Sequence, residues 1–67
     1  MDYFERLRSA KVAVEDAHSL IRAQEAEVKR LRSARLDASH AETLLRAYRE
    51  GARLAEEQVI LVGRGLW

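Results

Sequence analysis

Apolar residues in the first half of the chain recur at alternating spacings of four and three: Tyr3, Leu7, Ala10, Val14, Ala17, Ile21, Val28 and Leu31. Gln24 is the one polar member of this series. A sustained 4/3 alternation is the heptad seam of a packed helix. It predicts a first helix over about residues 3–35. Phe4, Ala13 and Leu20 flank the seam and widen it, which suits a bundle better than a two-stranded rod. A second series runs through Ala41, Leu45, Tyr48, Ala52, Ala55, Val59, Val62 and Leu66, widened by Leu44. It predicts a second helix over about residues 40–62.

The two series are out of phase. Continued past Leu31, the first would place Arg35, Ala38, Glu42, Leu45, Arg49 and Ala52 on the seam, and half of these are charged. A phase slip means either a stammer in one rod or two separate helices. Local chemistry favours two. Ser39 followed by Glu42 reads as a capping box, and Asp37 is an alternative N-cap. Lys29, Arg30, Arg32 and Arg35 put cations where a helix C-terminus favours them. Asp2 and Glu5 repeat the start signal at the other end. Against this, no Gly or Pro marks the junction. The expected fold is therefore all-α, an antiparallel two-helix hairpin, with a continuous rod as the alternative.

In that hairpin residue 62 is expected beside residue 14, leaving the first dozen residues overhanging with Tyr3, Phe4 and Leu7 bare. Two covers are available. One is the tail Gly63-Arg64-Gly65-Leu66-Trp67, with Gly63 suited to a left-handed cap and the five residues, about 16 Å when extended, able to bring Leu66 and Trp67 back toward Leu7 and Phe4. The other is a second copy, which makes a four-helix bundle. The expected interface residues are Tyr3, Phe4, Leu7, Val14, Ile21 and Val28 on the first helix. On the second segment they are Leu45, Tyr48, Val59, Val62, Leu66 and Trp67.

Composition sharpens this. The chain has 67 residues and no Cys, so disulfides and Cys-based zinc cannot supplement a small core. Many seam positions are Ala, which pack closely but bury little, so a lone hairpin has a thin core. Self-association is the remaining source of burial. Formal net charge is +1, which builds in no long-range attraction to nucleic acid or acidic lipid. No signal peptide and no membrane span is read, and the expected location is the cytoplasm.

Candidate chemistry is sparse. Lys29, Arg30, Arg32 and Arg35, joined across the hairpin by Arg46 and Arg49, form a candidate phosphate-binding patch. The plainer reading is helix-end complementarity plus local pairing of Arg46 with Glu42 and Lys29 with Glu25. No aromatic interleaves the patch to stack bases. His18 and His40 sit at different levels and are not expected to share a metal; His40 is expected to meet Asp37. Gln24 either fixes register, against its symmetry mate, Arg53 or Glu50, or is partly exposed. The apolar stretch Val59 to Trp67 either closes the chain's own core or docks another protein. No nucleophile–base pair, carboxylate cleft or phosphate loop is present, so no enzyme and no cofactor are expected.

The stretch IRAQEAEVKRLRSARLDASHAETLL resembles small uncharacterised helical-hairpin proteins of alpha-proteobacteria. The matching positions are Ile21, Gln24, Val28, Leu31, Asp37, Ala38, Ser39, Ala41, Glu42, Leu44 and Leu45. The resemblance implies a hairpin and assigns no activity. Those proteins tend to carry Gly just before the turn, where this chain has Arg35, and to end in a polar helix, where this chain ends VILVGRGLW. The functional expectation is a non-enzymatic interaction or scaffold module acting as a homo-oligomeric bundle, a homodimer with a tetramer as the larger option. The runner-up is a small nucleic-acid-binding regulator using the basic hairpin end. A secretion-type helical hairpin is third.

Overall fold

The computed structural model describes residues 2–66, so the expectation placed on Trp67 lies outside the described residues. Two helices fill almost all of it: α1, Tyr3–Ser33, and α2, Ser39–Gly63. Among the described residues there is no strand. Asp2 starts α1, its carboxylate accepting the Glu5 backbone N–H at 2.8 Å. That satisfies one of the free amide donors of the first turn.

The two seams are the buried edges. Every first-series position from Tyr3 to Leu31, Gln24 included, is buried or half-buried, and so is every second-series position from Ala41 to Val62. The flanking residues meant to widen the first seam are not: Phe4 is 72% exposed, Leu20 is 51% exposed, and Ala13 is exposed. The densest packing lies near the turn, where Val28, Ala38, Ala41 and Leu45 form a core cluster flanked by Ile21 and Leu31. Ala10, Ala52 and Val62 continue it toward the open end. No large side chain is completely enclosed among the described residues. The core is as thin as its alanines imply.

The reversal is tighter than a junction without Gly or Pro suggests. Ala34 caps α1, and Arg35 adopts the left-handed conformation with φ 59°. The Arg35 N–H then donates to the Arg32 carbonyl at 3.0 Å and the Leu36 N–H to the Leu31 carbonyl at 2.9 Å. These are the two bonds of the cap ordinarily built on Gly. Helix α1 therefore stops at Ser33, short of the expected residue 35. Helix α2 begins one residue earlier than expected, and its capping box does not form. Ser39 lies in the first turn, donating both its N–H and its hydroxyl to Asp37, at 2.9 and 2.7 Å. Glu42 turns instead to Arg32. The N-cap position falls on Ala38, with no side-chain cap bond, so neither Ser39 nor Asp37 takes it; Asp37 holds Ser39 from one residue further out.

The early reversal shifts the register. Val62 shares a hollow with Ala10, not with residue 14, and the Tyr3 hydroxyl donates to the Gly63 carbonyl at 3.2 Å. The expected overhang of a dozen residues shrinks to about two turns. Nor do the described tail residues 63–66 run extended. Gly63 is helical, and the left-handed cap falls on Gly65, with φ 75°. The Gly65 N–H donates to the Val62 carbonyl and the Leu66 N–H to the Leu61 carbonyl. Leu66 remains 60% exposed. The result is a slim rod, 49 × 14 × 13 Å.

Candidate interaction surface

The outside of the hairpin has two unlike broad faces. On one, α1 presents His18, Glu25 and Arg32, each seven residues from the next, and α2 presents Glu56, Arg49 and Glu42 at the same spacing. They meet in three rungs. His18 Nε2 lies 3.0 Å from Glu56 Oε1, Arg49 Nη2 lies 3.4 Å from Glu25 Oε2, and Arg32 Nη2 donates to Glu42 Oε1 at 2.6 Å. The seven-residue spacing follows from the heptad: positions flanking a seam recur on the same side every two turns. Sequence reading missed this ladder because it paired charges within each helix. The usable signal was the run of complementary polar side chains read outward from the turn, residue 32 with 42, 25 with 49, and 18 with 56.

The ladder also redistributes the basic cluster. Arg32, Arg46 and Arg49 do converge with Glu42 around a hollow floored by Val28 and Leu45. Their partners differ from those expected. Glu42 serves Arg32 and Glu25 serves Arg49, while Arg46 donates to the Thr43 hydroxyl at 3.1 Å. Arg30 is held by Glu27 through two donors, at 2.9 and 2.6 Å. That bond keeps the Glu27 carboxyl below the ordinary carboxylate range and raises Arg30. Arg35 is the left-handed residue of the turn. Carboxylates therefore already sit against three of the six proposed phosphate ligands: Arg30, Arg32 and Arg49.

Other candidates fall as follows. Gln24 does not meet Arg53 or Glu50; its amide donates to the Ala41 carbonyl at 2.9 Å, part-buried, pinning the middle of α1 to the first turn of α2. Arg53 lies between Glu50 and Glu57 on the outer side of α2, bonded to both, and the Glu50 carboxyl is lowered by that hydrogen bond. His18 is level with Glu56, whereas His40 sits in the first turn of α2, so the two do not come together. Among the described residues no hydrogen bond or ion pair joins His40 to Asp37; Asp37 Oδ1 accepts instead from Ser39, whose backbone N–H, then hydroxyl, lowers the Asp37 carboxyl.

At the open end the ladder gives way to an apolar hollow of about 400 Å³ lined by Lys11, Val14, Glu15, Glu56, Val59 and Ile60. A second hollow shares Lys11 and Glu15 with it and extends to Phe4, Leu7 and Val12. The Tyr3 and Phe4 rings stack edge to face here, centroids 5.3 Å apart. The expected interface residues thus divide. Val28, Leu45 and Val62 are buried within the hairpin, and Tyr3, Leu7, Val14, Ile21, Tyr48 and Val59 are half-covered by it. Phe4 and Leu66 stand out in solvent. Comparison with protein families, with curated proteins and with solved structures finds no match for this chain.

Proposed function

We propose that the chain is a non-enzymatic interaction or scaffold module that works as a homo-oligomer, two hairpins joining in a four-helix bundle. The supporting observation is uncovered surface. The hairpin exposes 5031 Å². A compact chain of its mass exposes about 4300 Å². Its radius of gyration is 15.2 Å, against about 11 Å for a compact domain of this length. Phe4, Val12, Leu20, Leu54 and Ile60 are each about half exposed or more. A surplus of roughly 700 Å² on each of two copies sums to about 1400 Å², the size of a standard specific interface.

The nucleic-acid reading draws less support, because the basic end already meets carboxylates in its own chain and the net charge is +1. Sedimentation equilibrium from micromolar to submillimolar concentration tests the proposal. The expected result is a mass rising to twice 7.7 kDa. A folded monomer throughout that range overturns it.

A further inference from the structure

The face opposite the charge ladder has a seam of its own. On α2, Leu44, Ala47, Gly51, Leu54, Gln58 and Leu61 recur at spacings of three and four, the same alternation that marks the intramolecular seam. At about 100° per residue the two stripes lie roughly 100° apart around the helix. Leu54 is 52% exposed, Leu61 is 38% exposed, and Ala47 and Gly51 are open. On α1 the matching positions from Ser9 to Ala23 are Ser9, Ala13, Asp16, Leu20 and Ala23, all exposed, of which Ala13, Leu20 and Ala23 are apolar. A hollow lined by Arg6, Ser9, Ala10, Gln58 and Val62 shows that the Ser9 side of α1 adjoins the Gln58 side of α2. Both secondary stripes therefore lie on one broad face. The three side-chain pairs His18–Glu56, Glu25–Arg49 and Arg32–Glu42 lie on the other.

From this geometry we infer that a second copy of the chain packs on the face centred on Leu20 and Leu54, with Gly51 at the closest approach. The inference rests on the proposed self-association and names its surface. In a four-helix bundle each helix touches two neighbours, so each needs two apolar stripes about a quarter-turn apart. α2 has that layout along most of its length and α1 over Ala13, Leu20 and Ala23, and a hairpin sufficient alone needs only one stripe per helix. Gly51 adds a second argument. Gly is the poorest helix former after Pro, yet a Cβ at Gly51 would meet nothing within 4 Å. Nothing in its own chain calls for the missing side chain, whereas a helix crossing close over that point does. The area is in scale: the hairpin's surplus of roughly 700 Å² per copy over a compact chain matches what a standard interface buries from each partner. Asp16 lies within the α1 stripe, on the same face as Gln58 of the α2 stripe.

The test compares Leu20→Glu and Leu54→Glu with Ile60→Glu, all at positions about half exposed in the hairpin. Helicity by circular dichroism should be retained in all three, since none of these side chains belongs to the intramolecular seam. In sedimentation equilibrium, Leu20→Glu and Leu54→Glu should each weaken dimerisation by at least about 30-fold, the scale of a central interface residue. Ile60→Glu, on the ladder side, should change it less than about threefold. Gly51→Ala should weaken the dimer although Ala is the better helix former. A wild-type dimer that survives Leu20→Glu and Leu54→Glu, or that Ile60→Glu breaks instead, overturns this face while leaving self-association standing. A wild-type monomer at all concentrations overturns both.

Discussion

At position 35 glycine should give a more stable protein than alanine. Arg35 holds φ 59°, the left-handed region, where Cβ crowds the following carbonyl oxygen. For a residue with a side chain that conformation costs about 1–2 kcal/mol. It persists here because the Arg35 and Leu36 N–H groups close the end of α1 and set the reversal that brings the seams together. Glycine adopts the same conformation without the crowding but adds unfolded-chain entropy, about 0.4–1 kcal/mol. The difference is a net gain of about 0.5–1 kcal/mol. Loss of the charge is a separate effect, since a cation near a helix C-terminus contributes about 0.3–1 kcal/mol. Arg35→Ala removes the charge and keeps the crowding, so the comparison that isolates the backbone is Gly against Ala. Urea unfolding at one fixed protein concentration, followed by circular dichroism, should place Arg35→Gly about 1 kcal/mol above Arg35→Ala. In a domain this small that is a melting difference of about 4–8 °C. If Arg35→Gly is no more stable than Arg35→Ala, Arg35 is not strained in solution and the cap described here is wrong.

Two further outcomes follow from the same structure. Leu45 is 8% exposed in the cluster beside the turn, so Leu45→Ala should cost about 2–3 kcal/mol, the low end for such truncations because a thin core can close around the loss. A loss under about 1 kcal/mol in urea unfolding would contradict the packing. Acid should also weaken the fold. The Glu27, Asp37 and Glu50 carboxyls are held below their ordinary range by Arg30, Ser39 and Arg53 respectively. A carboxyl whose folded pKa is depressed contributes stability above its unfolded value, and that contribution is lost as pH falls through the folded one. Stability should thus be level from about pH 5 to 7 and fall below about pH 4, where free carboxyls titrate. Asp37→Asn should flatten that acid limb, and an unchanged limb would mean that Asp37 does not bind Ser39 in solution.

The helices were legible because a seam is a repeated signal. Nine positions from Tyr3 to Leu31 agree on one phase, and no single substitution hides it. The phase slip likewise exposed the break. Its position within two residues was not legible, because the usual marker of a left-handed cap is glycine and this chain uses Arg35 at the first turn. At the second, two glycines compete, and the backbone chose Gly65 over Gly63. That small error in the turn moved the register, and with it the predicted overhang and the tail's role. The charge ladder depends on the same register. His18 cannot be paired with Glu56 until the turn is fixed, whereas Glu42–Arg46 is visible at once as an i, i+4 neighbour. Local pairs were therefore overvalued and cross-helix pairs missed. The expected interface residues were drawn from the strongest seams, which are the ones the hairpin consumes itself. The weaker second stripe through Leu44, Gly51, Leu54 and Leu61 stands out only once the first is known to be occupied.

The reversal between Ala34 and Ala38 underlies all of this, and a distance measures it. Spin labels at positions 11 and 60, which line one hollow in the hairpin, can be read by electron paramagnetic resonance, with the labelled chain diluted into an excess of unlabelled protein. Helix axes about 8–10 Å apart put the labels within roughly 20 Å of each other. An unbroken helix would hold them about 74 Å apart. A short distance upholds the hairpin, and a distribution centred near 70 Å contradicts it.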